Sequence, residues 1–460
     1  MAHELEIPQT TRRALAIAAG VLGVVTLVGV VAFRSTGDVG GGADKLNLAS
    51  EVYDAKVVST DTKPCGGTTE ADDIPCEEVR LRLSQGPDKG DTVELEFPES
   101  PTTPELDPGD RVVLSYNPSA EPGFEYQFAD RQRRPVLLWL TVLFAVAVVV
   151  LGRWRGLAAL VGLGATIVVL LQFVLPAILD GNSPVFVAVF GASAIAYLAL
   201  YLAHGFRTMT TVALLGTLAA LTVTVVLASV FTALAEFTGL ATEEAVLVQI
   251  GAGNVDLSGL VLGGMVIGAL GALDDMTVTQ ASAVWELRAA NPRFKRRDLS
   301  RSAMRIGRDH VASVVNTLAL AYAGAALPVL ILFVQSRQSL GTVANSETVA
   351  VEIVRTLVGS IGLVASVPLT TWLAARVVIT GPPGRDRRRP PRGERPPPGG
   401  PPESPPEPGP QLPPGPEPPP GPEPPPEEQF WGRSRSERPG GRRPGTPAGE
   451  ASGAIEEEPG

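Results

Sequence analysis

Two adjacent carboxylates, Asp274 and Asp275, lie in a segment that is otherwise apolar and rich in glycine. A charged side chain inside an apolar span is costly and often functional. At about 100° per residue, Asp275 shares one helical stripe with Thr279 and three glycines, whereas Asp274 points elsewhere. The glycines are Gly264, Gly268 and Gly271. Because such glycines permit close helix packing, the pattern predicts that Asp275 points into a packed interface and Asp274 towards water or a neighbouring helix.

An enclosed carboxylate can bind a proton or a cation. Asp275 is the main candidate for this chemistry, and Asp274, Thr279 and Gln280 are neighbouring candidates for an ion or substrate site. A structural interpretation also stays open, because both carboxylates lie near the predicted end of a span, where a charge costs less. In that case Asp275 pairs with an arginine of the basic segment that follows.

A second polar group precedes these carboxylates. Gly251 and Gly253 interrupt an apolar run beside Asn254 and Asp256. This composition is typical of an unwound or re-entrant segment, in which Asn254 and Asp256 would contribute to a substrate site. The alternative is a short interfacial helix followed by an outside loop.

The sequence contains no enzyme motif of the HExxH or GxSxG type and no combination of intramembrane Ser with Lys or His with Cys. Asp274 and Asp275 cannot share a proton as a protease dyad does, because adjacent residues on a helix point about 100° apart. We expect His204 and His310 to contact headgroups or solvent at the ends of spans. The prediction is therefore a protein that is not an enzyme and that holds no metal and no cofactor.

The elements that carry these residues are apolar. A membrane span needs about 20 such residues, and eight segments qualify. They are residues 14–33, 136–152, 156–175, 184–203, 210–235, 257–276, 311–334 and 353–379. The predicted fold is an α-helical polytopic membrane bundle of about eight transmembrane helices, which excludes a single compact soluble globule.

Arginine and lysine placement sets the predicted orientation, since basic residues near span ends stay in the cytoplasm. Basic residues precede the first span, follow the second, fourth and eighth, and are concentrated in residues 286–309. Both termini are therefore predicted to be cytoplasmic, in a bacterial cell membrane; three arginines at positions 131, 133 and 134 depart from this pattern. The basic segment 286–309 is expected to be a loop that anchors the topology on anionic lipid. Without stacking aromatics, it gives no support to nucleic-acid binding.

Residues 35–130 carry 21 acidic and 7 basic side chains. Period-2 alternation predicts strands separated by turn signals at residues 52–58, 78–83, 92–97 and 111–116. We predict a small exported all-β domain, a five-stranded barrel or small sandwich, over 35–134. The two cysteines of the chain, Cys65 and Cys76, both lie there and are predicted to form a disulfide rather than a metal or redox site.

The last 80 residues hold 27 of the 43 prolines and almost no aliphatic side chains, so they cannot bury a core. The predicted organisation is thus a cytoplasmic N-terminus and first anchor over 1–34, the β-domain over 35–134, a membrane domain of about seven helices over 135–380, and a proline-rich disordered cytoplasmic tail over 381–460. The tail is either a spacer or a ligand for partner domains that bind PxxP segments.

The motif GALGALDDMTVTQASAVWELRAANP, residues 268–292, resembles the signature stretch of the YibE/F-like family of bacterial multi-pass membrane proteins. The resemblance extends over roughly residues 46–379 and excludes the tail. It implies the membrane architecture described above and supplies no catalytic residues.

These features favour a permease of a small solute or ion, in which Asp275 handles a proton or cation. The competing hypothesis is an envelope scaffold or assembly protein that binds a partner through its exported domain. The expected partners are the lipid bilayer and an unknown small solute or ion, with a second copy of the chain or an envelope protein as further candidates, and no nucleic acid.

Overall fold

A five-stranded antiparallel sheet forms the acidic part of the chain. The computed structural model describes residues 7–35, 51–64, 75–101, 103–121 and 123–380. The strands are β1 Glu51–Pro64, β2 Pro75–Leu83, β3 Thr92–Pro98, β4 Arg111–Tyr116 and β5 Tyr126–Arg131. Their order in the sheet is β3-β2-β1-β4-β5, which makes a half-barrel. Its edges approach each other, since the Phe97 ring on β3 meets the Phe128 ring on β5 edge to face, with centroids 5.8 Å apart.

Alternation along the strands creates the core of this half-barrel. Val79 and Leu81 of β2 and Val112 and Leu114 of β4 are fully buried, whereas Arg80 and Val113 between them are only partly buried. The four predicted strands are present, and β5 completes the five. Cys76 at the start of β2 is disulfide-bonded, while Cys65 lies outside the described residues.

The remaining described chain is almost entirely helical. The helices are α1 Gln9–Ala32, α2 Arg134–Gly152, α3 Trp154–Val169 with a π-helical turn Leu170–Val174, α4 Leu175–Leu179, α5 Pro184–His204, α6 Thr208–Leu234, α7 Glu243–Gly251, α8 Leu257–Ala290, α9 Arg296–Ala325, α10 Leu327–Gln335, α11 Leu340–Asn345 and α12 Glu347–Ile379. Among the described residues, seven helical stretches are long and apolar enough to cross a membrane, and the number is eight if the bent pair of α9 and α10 forms one span.

Two predictions about this region were wrong. The span predicted over 311–334 is broken, because α9 and α10 meet at an angle of 62°. Pro328 at the start of α10 explains the break: it donates no backbone hydrogen bond and its ring clashes with the preceding turn. The basic loop predicted over 286–309 is mostly helical, since α8 ends at Ala290 and α9 begins at Arg296.

The centre of the bundle is formed by α6, α8 and α12, which approach closely at glycines. Gly216 of α6 lies against Thr370, and Gly362 of α12 lies against Thr224, with no room for a Cβ atom at either glycine. Gly263 joins α8 to α5, because a Cβ there would lie 3.2 Å from the Cβ of Ala188. These short distances are typical of small-residue packing between apolar helices.

The glycines predicted to pack are not among these core contacts, and their packing role stays a prediction. Gly264, Gly268 and Gly271 lie on an exposed face of α8. The opposite face, which carries Leu273 and Met276, is buried against the other central helices. Packing is decided by the larger apolar side chains, and the glycine stripe is left on the outside.

Two polar contacts fix the position of α8 within this core. Gln280 is 1% exposed, and its Nε2 donates to Thr371 Oγ1 at 2.6 Å and to the Ala303 carbonyl oxygen at 3.0 Å. The hydroxyls of Thr217 and Thr277 lie 2.6 Å apart. Buried polar groups of this kind specify one arrangement of helices when they are satisfied.

A side chain at Gly362 should disrupt the core. We expect Gly362→Val to destabilise the bundle by roughly 1–3 kcal/mol, because the added atoms overlap Thr224 of α6. The measurement is thermal unfolding of the full chain in detergent. Gly164→Val in α3 is the matched control: it introduces the same residue into a helix where a Cβ meets no described atom within 4 Å. Equal losses in both variants would contradict the proposed close contact.

The sheet should be sensitive to acid through Glu78. Its carboxylate lies 2.5 Å from Lys63 Nζ and 3.3 Å from Arg80 Nη2, and the Lys63 hydrogen bond holds the pKa of Glu78 below its usual range. A lowered pKa in the folded state means that the contribution is fully present above the ordinary pKa of about 4.3 and is lost as the pH falls through the lowered value.

We expect hydrogen exchange in β1 and β2 of the full chain to speed up below about pH 4, after correction for the intrinsic rate. Glu78→Gln should remove this pH dependence and raise exchange at neutral pH. An unchanged pH profile in the variant would show that another group is responsible.

Candidate functional site

The exposed stripe of α8 forms the floor of a groove. Gly264, Gly268, Gly271 and Asp275 all lie on this face, and we call it the α8 groove. From Gly264 to Asp275 the groove runs roughly 17 Å, since each helical residue rises about 1.5 Å. These residues thus form one stripe, as the sequence predicted. The stripe is open, however, whereas the sequence predicted that it forms a packed interface.

Side chains from α9 and α12 stand over this floor. A Cβ at Gly264 would lie 3.9 Å from Arg355 Nη2, and one at Gly268 would lie 3.2 Å from the Tyr322 hydroxyl. A Cβ at Gly271 would meet no described atom within 4 Å. The groove is therefore occupied by polar groups near Gly264 and Gly268 and is open at Gly271.

One end of the groove carries an acidic and imidazole pair. His310 Nε2 of α9 lies 3.8 Å from Asp275 Oδ2, and the Asp275 side chain is 68% exposed. His204 at the end of α5 is within electrostatic range of Asp275 and of the guanidinium groups of Arg155 and Arg207. The exposed carboxylate thus lies close to two imidazoles, which can accept positive charge.

The orientation predicted for Asp275 was wrong, whereas Asp274 lies towards a neighbouring helix, which was one of its two predicted positions. Asp275 is exposed in the groove, whereas Asp274 is partly buried and its Oδ1 has no hydrogen-bond partner among the described residues. On a helical projection Asp274 falls within about 20° of Gly263, on the side of α8 that meets α5. The error arose from assuming that the glycine stripe is the packed face. Whether either carboxylate handles ions stays a prediction.

The other end of the groove carries an ion pair. Arg355 Nη1 donates to Glu352 Oε1 at 2.6 Å, and both side chains are about three-quarters buried. The guanidinium lies 5.9 Å from the centre of the Tyr322 ring. Glu352 Oε2 and Arg355 Nε are buried and find no hydrogen-bond partner in the described part of the chain. Such unpaired groups are costly and are unusual in a purely structural ion pair.

Sequence reasoning missed this cluster because Glu352 lies just before the span predicted over residues 353–379. The available signal was the spacing of Glu352 and Arg355, three residues apart on one helical face. Tyr322 had no distinguishing signal, since only the fold brings α9 beside α8 and α12.

Other predicted site residues lie elsewhere. Asp256 is the N-cap of α8, where its Oδ1 accepts from Gly259 N at 3.0 Å. It is 19 residues from Asp275 along a single helix, roughly 28 Å, so Asn254 and Asp256 cannot share a site with Asp275. The chain before them forms the short helix α7 and a turn rather than an unwound span.

The remaining two candidates differ from each other. Thr279 is partly exposed on the groove side of α8, one turn beyond Asp275, whereas Gln280 is buried in the core and satisfied by Thr371 and Ala303. Within the described ranges, no group of three or more His, Cys, Asp or Glu residues could hold a metal ion.

Fold and site together define a protein with a bundle of apolar helices compatible with a membrane, a small β half-barrel and a polar groove on one central helix. Residues 140–380 match the family model described as YibE/F-like protein. The chain belongs to the YibE/F-like family. Comparison with curated proteins and with solved structures finds no match.

The orientation of the two carboxylates can be tested by cysteine labelling. In the detergent-solubilised full chain, Asp275→Cys should react with a maleimide about tenfold or more faster than Asp274→Cys, because position 275 is open to solvent. The native Cys76 is disulfide-bonded and gives little background.

Gly271→Cys and Leu273→Cys are the exposed and buried controls from the same helix. All rates are normalised to those of the denatured chain. Faster labelling at 274 than at 275 would contradict the observed orientation.

Proposed function

We propose that this chain is a permease of a small solute or ion in a bacterial cytoplasmic membrane, with the α8 groove as its path. In this proposal both termini are cytoplasmic, the Asp275 end of the groove faces the cytoplasm and the Arg355 end faces outward with the β half-barrel. The basic start of α9, which lies at the Asp275 end, supports this orientation.

One observation carries the proposal: a glycine floor connects two ionisable clusters on adjacent helices. Ionisable groups in apolar helices usually line a solute path or a proton relay. A merely structural set of charges would be expected to be paired. Here, three buried atoms of the two clusters have no hydrogen-bond partner among the described residues. They are His310 Nε2, Glu352 Oε2 and Arg355 Nε.

Asp275 and His310 are the proposed proton-handling pair. The two side chains lie 3.8 Å apart, and a proton taken up by either one makes this end of the groove more positive. Because Asp275 stands next to open space at Gly271, such a change of charge acts on whatever occupies the groove. The pair thus supplies a means of coupling solute movement to a proton gradient.

Flux measurements on reconstituted protein test this function. Proteoliposomes loaded with a pH-sensitive dye are placed in an inward proton gradient with external sodium, potassium, magnesium, phosphate or amino acids. We expect at least one of these to drive protein-dependent proton entry. Asp275→Asn should reduce that entry by about tenfold or more, because an amide cannot take up the proton.

Asp298→Asn is the matched control. It is the same substitution in the first turn of α9, where Asp298 lies 4.0 Å from Arg301 and outside the groove. Its flux should equal that of the unaltered chain. Absence of flux with every salt would overturn the permease proposal and favour the scaffold hypothesis, and equal flux in Asp275→Asn would remove the coupling role of Asp275.

A further inference from the structure

The ion pair at the Arg355 end leaves one edge of a guanidinium unused. Glu352 Oε1 accepts from Nη1, so the adjacent Nε and Nη2 remain for another acceptor. Nε has no hydrogen-bond partner in the described chain, and Nη2 points towards Gly264. In a guanidinium, Nε–H and the nearer Nη2–H are parallel donors, and this edge matches the two oxygens of a carboxylate or phosphate.

We propose that this edge of Arg355 binds a small oxyanion, a carboxylate or a phosphate, at the Gly264–Gly268 part of the α8 groove. The inference deepens the proposed function, on which it rests, by naming the substrate class. Tyr322 is the second donor, because its hydroxyl lies over Gly268, one helical turn from Gly264. The guanidinium and the Tyr322 ring are 5.9 Å apart, which keeps the arginine near the groove.

Space at this place depends on the two glycines. Arg355 Nη2 is the nearest described atom to a Cβ at Gly264, at 3.9 Å, and the Tyr322 hydroxyl is the nearest at Gly268. A Cβ at Gly264 would make only an ordinary contact with Nη2, so a larger residue there would extend against the guanidinium before it met any other described atom. The glycine has a role in binding that is separate from helix packing.

Glu352 sets the electrostatic balance of the site. As the described carboxylate paired with Arg355, it neutralises the arginine and competes with an incoming anion. Because of this competition, the site would bind an oxyanion weakly. Weak binding allows the oxyanion to be released, as transport requires. Removing the Glu352 charge should strengthen anion binding. Replacing the two parallel donors of Arg355 with a single ammonium should weaken it.

Binding is measured without flux, so its outcome is independent of the transport assay. The full chain in detergent is titrated with inorganic phosphate or acetate against chloride at constant ionic strength, with calorimetry and thermal unfolding as readouts. We expect saturable binding of at least one oxyanion. Arg355→Lys should weaken it by about tenfold or more, since lysine keeps the charge but loses the two parallel donors.

Three variants complete the test. Gly264→Leu should abolish binding with Arg355 intact, Glu352→Gln should tighten it, and Arg301→Lys in the exposed first turns of α9 should leave it unchanged. Phosphatidylglycerol, compared with uncharged diacylglycerol, distinguishes a lipid headgroup phosphate from a free anion as the source. Absence of binding by every oxyanion, or binding that survives both Arg355→Lys and Gly264→Leu, would overturn the assignment even if the chain transports another solute.

Discussion

The structure depends on the different packing of the two faces of α8. On one face, large apolar side chains such as Leu273 and Met276 fill the space between α6, α8 and α12. On the same face, Gln280 donates hydrogen bonds to α9 and α12. On the other face, three glycines have no side chain to contribute to packing. The buried face gains van der Waals contact with α6 and α12 through these large side chains, whereas Gly264, Gly268 and Gly271 have little to contribute to such contact.

This division explains where charge is tolerated. A carboxylate on the buried face would lose its water without compensation, at a cost of several kcal/mol. Asp275 avoids that cost by sharing the open face with the glycines, and Arg355 and Glu352 at the other end neutralise each other in part. Asp274 is the exception, because one of its oxygens is buried towards α5 with no described partner. Packing does not explain a carboxylate at this position, so Asp274 stays a candidate beside Asp275.

The sequence predicted element types well and helix neighbours poorly. Apolar runs and period-2 alternation identified the apolar helices and four strands, since these depend on local patterns. Gly264, Gly268 and Gly271 were correctly placed on one stripe, yet periodicity could not say whether that stripe is buried. Arg355 and Tyr322 became part of the groove only through the approach of α12 and α9 to α8, which is a tertiary property. Pro328 indicated a break in the helix. The segment around it is uniformly apolar, however, and was therefore predicted to be one continuous span.

In the proposed permease, the two ends of the groove would act in opposite ways on an anion. Arg355 would attract an oxyanion to the Gly264 end, whereas a charged Asp275 would repel it at the other end. At a separation of about 4 Å and an effective dielectric constant near 20, that repulsion is about 4 kcal/mol. A proton bound by Asp275 and His310 removes the repulsion, so the anion and the proton would reach the Asp275 end together. Proton uptake at that end would then be required for passage of the anion, and the groove would act as a symporter rather than a channel.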